Sequence, residues 1–484
     1  MAKYQASARI SCAASIVAGA RVPGVASPTL TTNAAQIPRP PRLRLLQALH
    51  AAFDPEGFFR RGARRGDPFA VRLPGVGRIL VTGHPDGARD IFTADPADYE
   101  TVRANPIEAL LGPGSLILLS GDRHARERRL LVPPFHGDRM RTYGRVIQEV
   151  VHAELARLAP GAPFAAQELM QAITLQVIVR AVFGVEGDPQ RAEMHRAIVA
   201  MLDAYSPPLM LVPALRRPIA GRGPWLRFVR ARACFDALLR AEVARRRAGA
   251  AAQDDILSLL VALRYEDGAA LSDDDLLDEL RTLLVAGHET TATVLSWALH
   301  FLHRDPAVGE RLEAELAPLG GAPAPEALAA LPYLGAVVNE ALRLHPVVPI
   351  VLRRLRAPLT LRGVRVPAGE NVAVAVSLLH ARADVWDAPA RFAPERFLAR
   401  KYTPFEYAPF GGGHRRCLGA AFAGFEMKEV LGRVFARCEL EPADPKPERP
   451  SRRMITFVPA KGGRVIVRSR DSAGAGSSRE LAAV

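Results

Sequence analysis

Between Ser272-Asp-Asp-Asp275 and Asp305-Pro306 the sequence runs for about 30 residues without a proline and with apolar residues at helical spacing. Ser272, three residues ahead of an acid, opens the stretch with a capping pattern, and Asp305-Pro306 closes it. At 1.5 Å per residue this predicts a helix of roughly 45 Å, long enough to cross a whole domain. Helical periodicity dominates from about residue 120 to 345, broken by loops such as Ser206-Pro-Pro-Leu-Met210 and Arg217-Pro218. Strand signals are confined to the flanks. Phe69–Leu73 and Arg78–Thr82 bracket a Pro-Gly turn as a β-hairpin, and Leu359–Val366 and Asn371–Val376, separated by Pro367-Ala-Gly369, suggest another.

The fold class read from this pattern is mostly α with a small β-rich portion in a single large domain. Its expected bounds are 41–470, between tails at 1–40 and 471–484 that read as disordered. Residues 1–50 contain no Asp or Glu and six Lys/Arg, a bias shared by transit peptides and by plain tails. No run approaches the 20 apolar residues of a membrane anchor. The formal charge of +14 is spread along the chain, and only 6% of residues are aromatic, which argues against a nucleic-acid platform. It suits an acidic protein partner instead. Four irregularly spaced cysteines show neither a disulfide framework nor zinc-ligand pairs, so a reducing, cytoplasmic setting is expected.

One cysteine differs from the rest. Phe410-Gly-Gly-Gly-His-Arg-Arg-Cys417-Leu-Gly419 leads directly into a helical pattern. Glycines permit a close backbone approach, while a helix start and two arginines favour a thiolate able to ligate a metal or attack an electrophile. Cys12, Cys234 and Cys438 sit in ordinary surroundings. Two further patterns stand out. Glu340 and Arg343 lie three apart on one helix face, ahead of Arg396. Ala286-Gly-His-Glu289-Thr290-Thr291 places glycine, acid and hydroxyl in the middle of the long helix, where a plain core helix would not. His288 reads as packing.

Phe410, Gly413, Arg415, Cys417 and Gly419 match without gaps the haem-binding signature of the cytochrome P-450 family, which this chain resembles from about Pro40 to Val467. The resemblance implies the family's fold, a b-type haem, and Cys417 as its thiolate metal ligand, with Phe410, Gly411 and Gly419 of the loop and Ala286 of the long helix against the cofactor. It implies Thr290 and Glu289 as the catalytic hydroxyl and acid that bring protons to dioxygen. It assigns His124, Arg128, Arg353 and Arg415 to the haem propionates, with Arg354 second to Arg353, and makes Glu340, Arg343 and Arg396 a buried structural network.

The activity implied is a haem-dependent monooxygenase that hydroxylates or epoxidises a lipophilic small molecule of secondary metabolism: a terpenoid, a fatty acyl chain or a similar compound. Its expected pocket is lined by Ala104–Leu116, Leu283–Ala286, Val347–Leu352 and Phe457. Electrons are expected from a ferredoxin and a flavoprotein ferredoxin reductase, the protein itself being a monomer. The alternatives are a peroxide-dependent peroxygenase, which typically lacks the acid-alcohol pair, and a non-catalytic haem or ligand carrier.

Overall fold

The computed structural model describes residues 32–33, 50 and 54–470, apart from short segments at 74–75, 102–104, 136–138, 219–221, 250–253, 321–322 and 454–455. The central helix runs Asp273–Leu302, 30 residues, with the Ser272 hydroxyl accepting from the Asp275 N–H at 3.1 Å, as its capping pattern predicts. Almost all of its length is buried. It packs against the helices Ala166–Val177, Pro332–Leu344 and Ala420–Arg437, the last leading away from the Cys loop. The main apolar core lies among these helices, from Leu110 to Val465 in sequence.

Two smaller cores sit around a five-stranded sheet ordered Phe69–Leu73, Gly77–Thr82, Asn371–Ala375, Ile350–Leu355 and Tyr99–Glu100. The first hairpin forms as read, with Ala70 opposite Leu80. The second differs from the sequence reading. Its turn falls inside the first run, pairing Leu359–Leu361 with Val364–Val366, because Arg362 and Gly363 both take positive φ (47° and 78°), the geometry a two-residue hairpin turn needs. Asn371–Ala375 joins the other sheet, parallel to Gly77–Thr82 and antiparallel to Ile350–Leu355. Every residue of that strand is buried, as a central strand covered on both faces requires.

Thr32 and Asn33, inside the segment read as a tail, pair in parallel with Val364 and Arg365. The remainder of 1–40, with Cys12, and all of 471–484 lie outside the described residues. The C-terminal third adds strands that the sequence reading did not mark. Cys438–Pro442, Arg464–Arg470 and Pro163–Ala165 form one sheet, and Pro450–Arg453 with Thr456–Pro459 form a hairpin laid along the central helix. Among the described residues no helix is long and apolar enough to cross a membrane.

Candidate active site

The Cys loop is held by its glycines and by a polar chain reaching back to the Glu340 network. Gly411 and Gly413 have φ near +68° and +66°. A Cβ on Gly412 would fall 2.3 Å from the Phe92 ring, and one on Gly413 would fall 2.3 Å from the Phe92 carbonyl oxygen. The close approach that the glycines permit is thus onto the protein's own Phe92. Phe410 is half-buried, and its carbonyl accepts from the Cys417 N–H at 2.9 Å, closing the loop. Gly419, at φ −84°, would meet nothing within 4 Å of an added Cβ.

Behind the loop, Glu340 and Arg343 form a bidentate pair at 2.7 Å in both contacts, with almost no solvent exposure, and Arg396 Nε reaches Glu340 at 3.1 Å. Arg343 also donates to the His380 and Pro389 carbonyls, and His380 Nε2 accepts from the Ala408 N–H at 3.0 Å, two residues before Phe410. A fully paired buried network fixes the geometry of what it touches.

Cys417 stands on an open slot. Its side chain is accessible to solvent, yet burial by the surrounding protein is the largest influence on its thiol. The expectation of an acidified thiol is corrected here. The helix proper begins at Ala420, and burial pushes the thiol up against the opposing pull of the Gly419 N–H, Arg128 and Arg416. A coordinated metal would reverse that balance, because it displaces the proton outright. Cys234 is exposed and Cys438 buried.

Around this slot the basic side chains converge without carboxylates. Arg353 donates to the Leu352 carbonyl at 2.9 Å and, weakly, to the Gly412 carbonyl at 3.4 Å. Arg415 donates to the carbonyls of Ile117 and Leu119. Each guanidinium is depressed to about 10 by burial first and then by a neighbouring arginine. Arg128 is half-buried beside Cys417. His124 is buried and edge-on to His414, whose ring stacks on Tyr99, and burial together with Arg415 drives His124 down to about 3. Arg354, by contrast, is spent on Glu100 at 2.6 Å. Mutually repelling cations with only carbonyl partners form a cradle that an anion would stabilise.

The central helix has one accessible stripe. On an otherwise buried rod, Leu283, Ala286, Gly287 and Thr290 are accessible at spacings of three and four, which places them on one face. The segment Ser115–Leu119 ties that helix to the Cys loop: Ser115 Oγ accepts from Thr282, the Leu116 N–H donates to Glu279, and Ile117 and Leu119 take Arg415. Thr291 and Glu426 bond across to the helix that follows the loop. Thr290 donates its hydroxyl proton to the Ala286 carbonyl. Glu289 turns away into protein, where Gln171 Nε2 donates to Oε2 at 3.1 Å and Arg453 Nε lies 3.1 Å from Oε1. Burial raises its carboxyl, and Arg453 opposes. His288 is buried against Thr174 at 2.9 Å, a packing role.

The sequence reading missed Gln171, Arg453 and His414. The first two meet Glu289 from 118 and 164 residues away, and His414 joins the cradle only through the loop's path. A separate cleft of about 540 Å³ is lined by Arg60, Asp67, Ser377 and the network residues Arg343 and His380 among others, and by none of the residues around Cys417 or Glu289. Among the described residues no three His, Cys, Asp or Glu side chains cluster as a metal site. The donor set is therefore one soft sulfur in a slot beside uncompensated cations, which fits a flat, anionic, iron-bearing macrocycle better than a bare ion.

Comparisons with known proteins agree. The family model described as Cytochrome P450 matches residues 42–467. Cytochrome P450 135B1 of Mycobacterium tuberculosis is 38% identical over 411 residues, covering 84% of this chain and 85% of that protein. Cytochrome P450 138 of the same organism is 36% identical over 438 residues, covering 89% and 96%. Among solved structures, retinoic acid-bound cyanobacterial CYP120A1 aligns with a TM-score of 0.76 at 26% identity, covering 87% of this chain and 96% of that one. The chain belongs to the cytochrome P450 family, monooxygenases that use dioxygen, redox partners and a haem b held by a cysteine thiolate.

Proposed function

We propose that this protein hydroxylates or epoxidises a lipophilic small molecule, with Cys417 as the axial ligand and Glu289 and Thr290 as the proton-handling pair. The observation that carries the reading is an accessible cysteine beside arginines that lack carboxylate partners. When bound, haem supplies an iron centre that activates dioxygen. Arg128, Arg353, Arg415 and His124 would hold its propionates, with Arg353 and Arg415 exchanging carbonyl contacts for charge-assisted ones. Phe410, Gly411, Gly419 and Ala286 would lie against the cofactor. The Thr290 hydroxyl donates to the Ala286 carbonyl and can turn toward the slot, while Glu289 carries protons inward from the hairpin side.

The substrate reading rests on aliphatic exposure. Ile117 and Val348 are each 43% exposed, high for large apolar groups; Ile117 gives its carbonyl to Arg415, and Val348 lies in the expected pocket segment Val347–Leu352. The similar CYP120A1 binds retinoic acid, which favours an isoprenoid among lipophilic candidates. Electrons come from a ferredoxin and its flavoprotein reductase, docking on the basic surface near Arg416, and the protein works as a cytoplasmic monomer within residues 41–470. The intact Glu289-Thr290 pair weighs against a peroxide-only enzyme.

The test is the reduced carbon monoxide spectrum. A red-shifted thiolate-haem band is expected, and Cys417→Ala should abolish it; retention of the band in that variant would exclude Cys417 as ligand. A spin-state titration with terpenoids and fatty acids would then rank substrates.

A further inference from the structure

Glu289 is gripped unevenly. Oε2 takes a directed hydrogen bond from Gln171 of the helix Ala166–Val177. Oε1 is buried and receives no directed hydrogen bond, because Arg453 Nε, although 3.1 Å away, is not aimed along an N–H···O line. The second contact is therefore charge alone, made by a side chain 47% exposed to solvent against a carboxylate only 9% exposed. Oε1 is the oxygen left able to take a proton or a water.

Arg453 belongs to the hairpin Pro450–Arg453/Thr456–Pro459, in which it stands opposite Thr456. The next position, Phe457, gives its carbonyl to Trp297 Nε1 at 2.8 Å. Trp297 and Glu289 are eight residues apart on the central helix, about 12 Å along one side. The hairpin is thus pinned to the helix at two levels, a neutral hydrogen bond at Trp297 and an ion pair at Glu289. The charged group facing the Glu289 carboxyl from the hairpin is Arg453; from the Ala166–Val177 helix it is met by the neutral Gln171 amide.

We infer that Arg453 is the positioning residue for Glu289: the hairpin that carries Phe457 orients the proton-handling acid, leaving Oε1 against a breakable charge contact while Oε2 is held by Gln171. This rests on the reading of Glu289 as that acid. The contact is breakable, since an exposed guanidinium gives up an undirected pair cheaply.

The experiment uses the full-length haem-loaded protein as wild type, Arg453→Gln, Arg453→Lys and Glu289→Gln. Infrared titration follows the carboxyl band that Glu289→Gln removes. Arg453→Gln should raise its midpoint by about one pH unit, a tenfold change in proton occupancy at fixed pH, with Arg453→Lys restoring it. An unmoved midpoint in Arg453→Gln overturns the inference. The pH profile of oxygen consumption, driven by NADPH through a plant ferredoxin and its reductase, tests the underlying reading separately. Glu289→Gln should flatten that profile and Arg453→Gln should shift it the same way as the infrared midpoint. A profile unchanged in Glu289→Gln removes the acid's role even where the infrared midpoint responds to Arg453.

Discussion

Arg343 and His380 exchange hydrogen bonds: the guanidinium donates to the His380 carbonyl at 2.8 Å, and His380 Nδ1 lies 3.2 Å from the Arg343 carbonyl. Because His380 Nε2 accepts from the Ala408 N–H, Nδ1 must carry the proton and the ring is neutral, in keeping with a value pushed down to about 3 by burial. This pair transmits the Glu340 network to the Cys loop. Arg343→Ala strands a buried Glu340 and should cost about 3–5 kcal/mol. Urea denaturation would show it, together with loss of haem on purification; a wild-type midpoint would contradict the network's role.

Arg353 and Arg354 are adjacent but differently engaged. Arg353→Met should speed haem loss to apomyoglobin by roughly tenfold or more, since it removes a charge-assisted contact of about 1.5–3 kcal/mol. Arg354→Met breaks only the part-exposed pair with Glu100 and should leave haem transfer near wild type. The reverse ranking would exchange their assignments.

Glu426 is buried, with Oε1 unpartnered and Thr291 on its carboxyl, and burial raises it from 4.5 to about 8. The unfolded chain releases this proton above about pH 4.5 and the folded chain keeps it until about pH 8. Its contribution to stability is therefore full at low pH and is lost as pH rises through that window, at about 1.4 kcal/mol per pH unit. Glu426→Gln cannot ionise, so its stability relative to wild type should grow between pH 5 and pH 8. Paired denaturation curves at pH 5, 6.5 and 8 would reveal this, and a constant difference would refute it.

Gly413 and Gly419 should respond oppositely to alanine. At Gly413 the new Cβ meets the Phe92 carbonyl at a positive φ, and stability should fall by about 2 kcal/mol or more. At Gly419 it meets nothing within 4 Å, so thermal stability of the cofactor-free chain should change by under about 0.5 kcal/mol. Calorimetry of both variants decides, and equal losses would mean that the loop adjusts around Gly413.

Local chemistry made the central helix legible, since its cap, period and closing Asp305-Pro306 all act within a few residues of where they are written. The Cys loop was legible for the same reason, and the Glu340–Arg343 pair because one helical turn joins it. The partners of Glu289 left no such trace: an exposed-looking Arg453 and an ordinary Gln171 acquire meaning only when three distant elements meet. Burial around Cys417 was not legible either, because a sequence shows the neighbouring charges that favour a thiolate but not the surrounding protein that opposes them in the free thiol. The second hairpin slipped because two consecutive positive-φ residues outcompeted the more conspicuous Pro-Ala-Gly segment.

The sheet formed by Arg464–Arg470 with Pro163–Ala165 sets an order of events during synthesis. Arg464 pairs with Ala165 and Ile466 with Pro163, a closure across roughly 300 residues. On a ribosome this strand emerges after the central helix and the Cys loop are already available. This seam can therefore close only after the residues of the site have been made, and a truncation before Arg464 would leave a chain that holds every chemical residue yet lacks its last stitch.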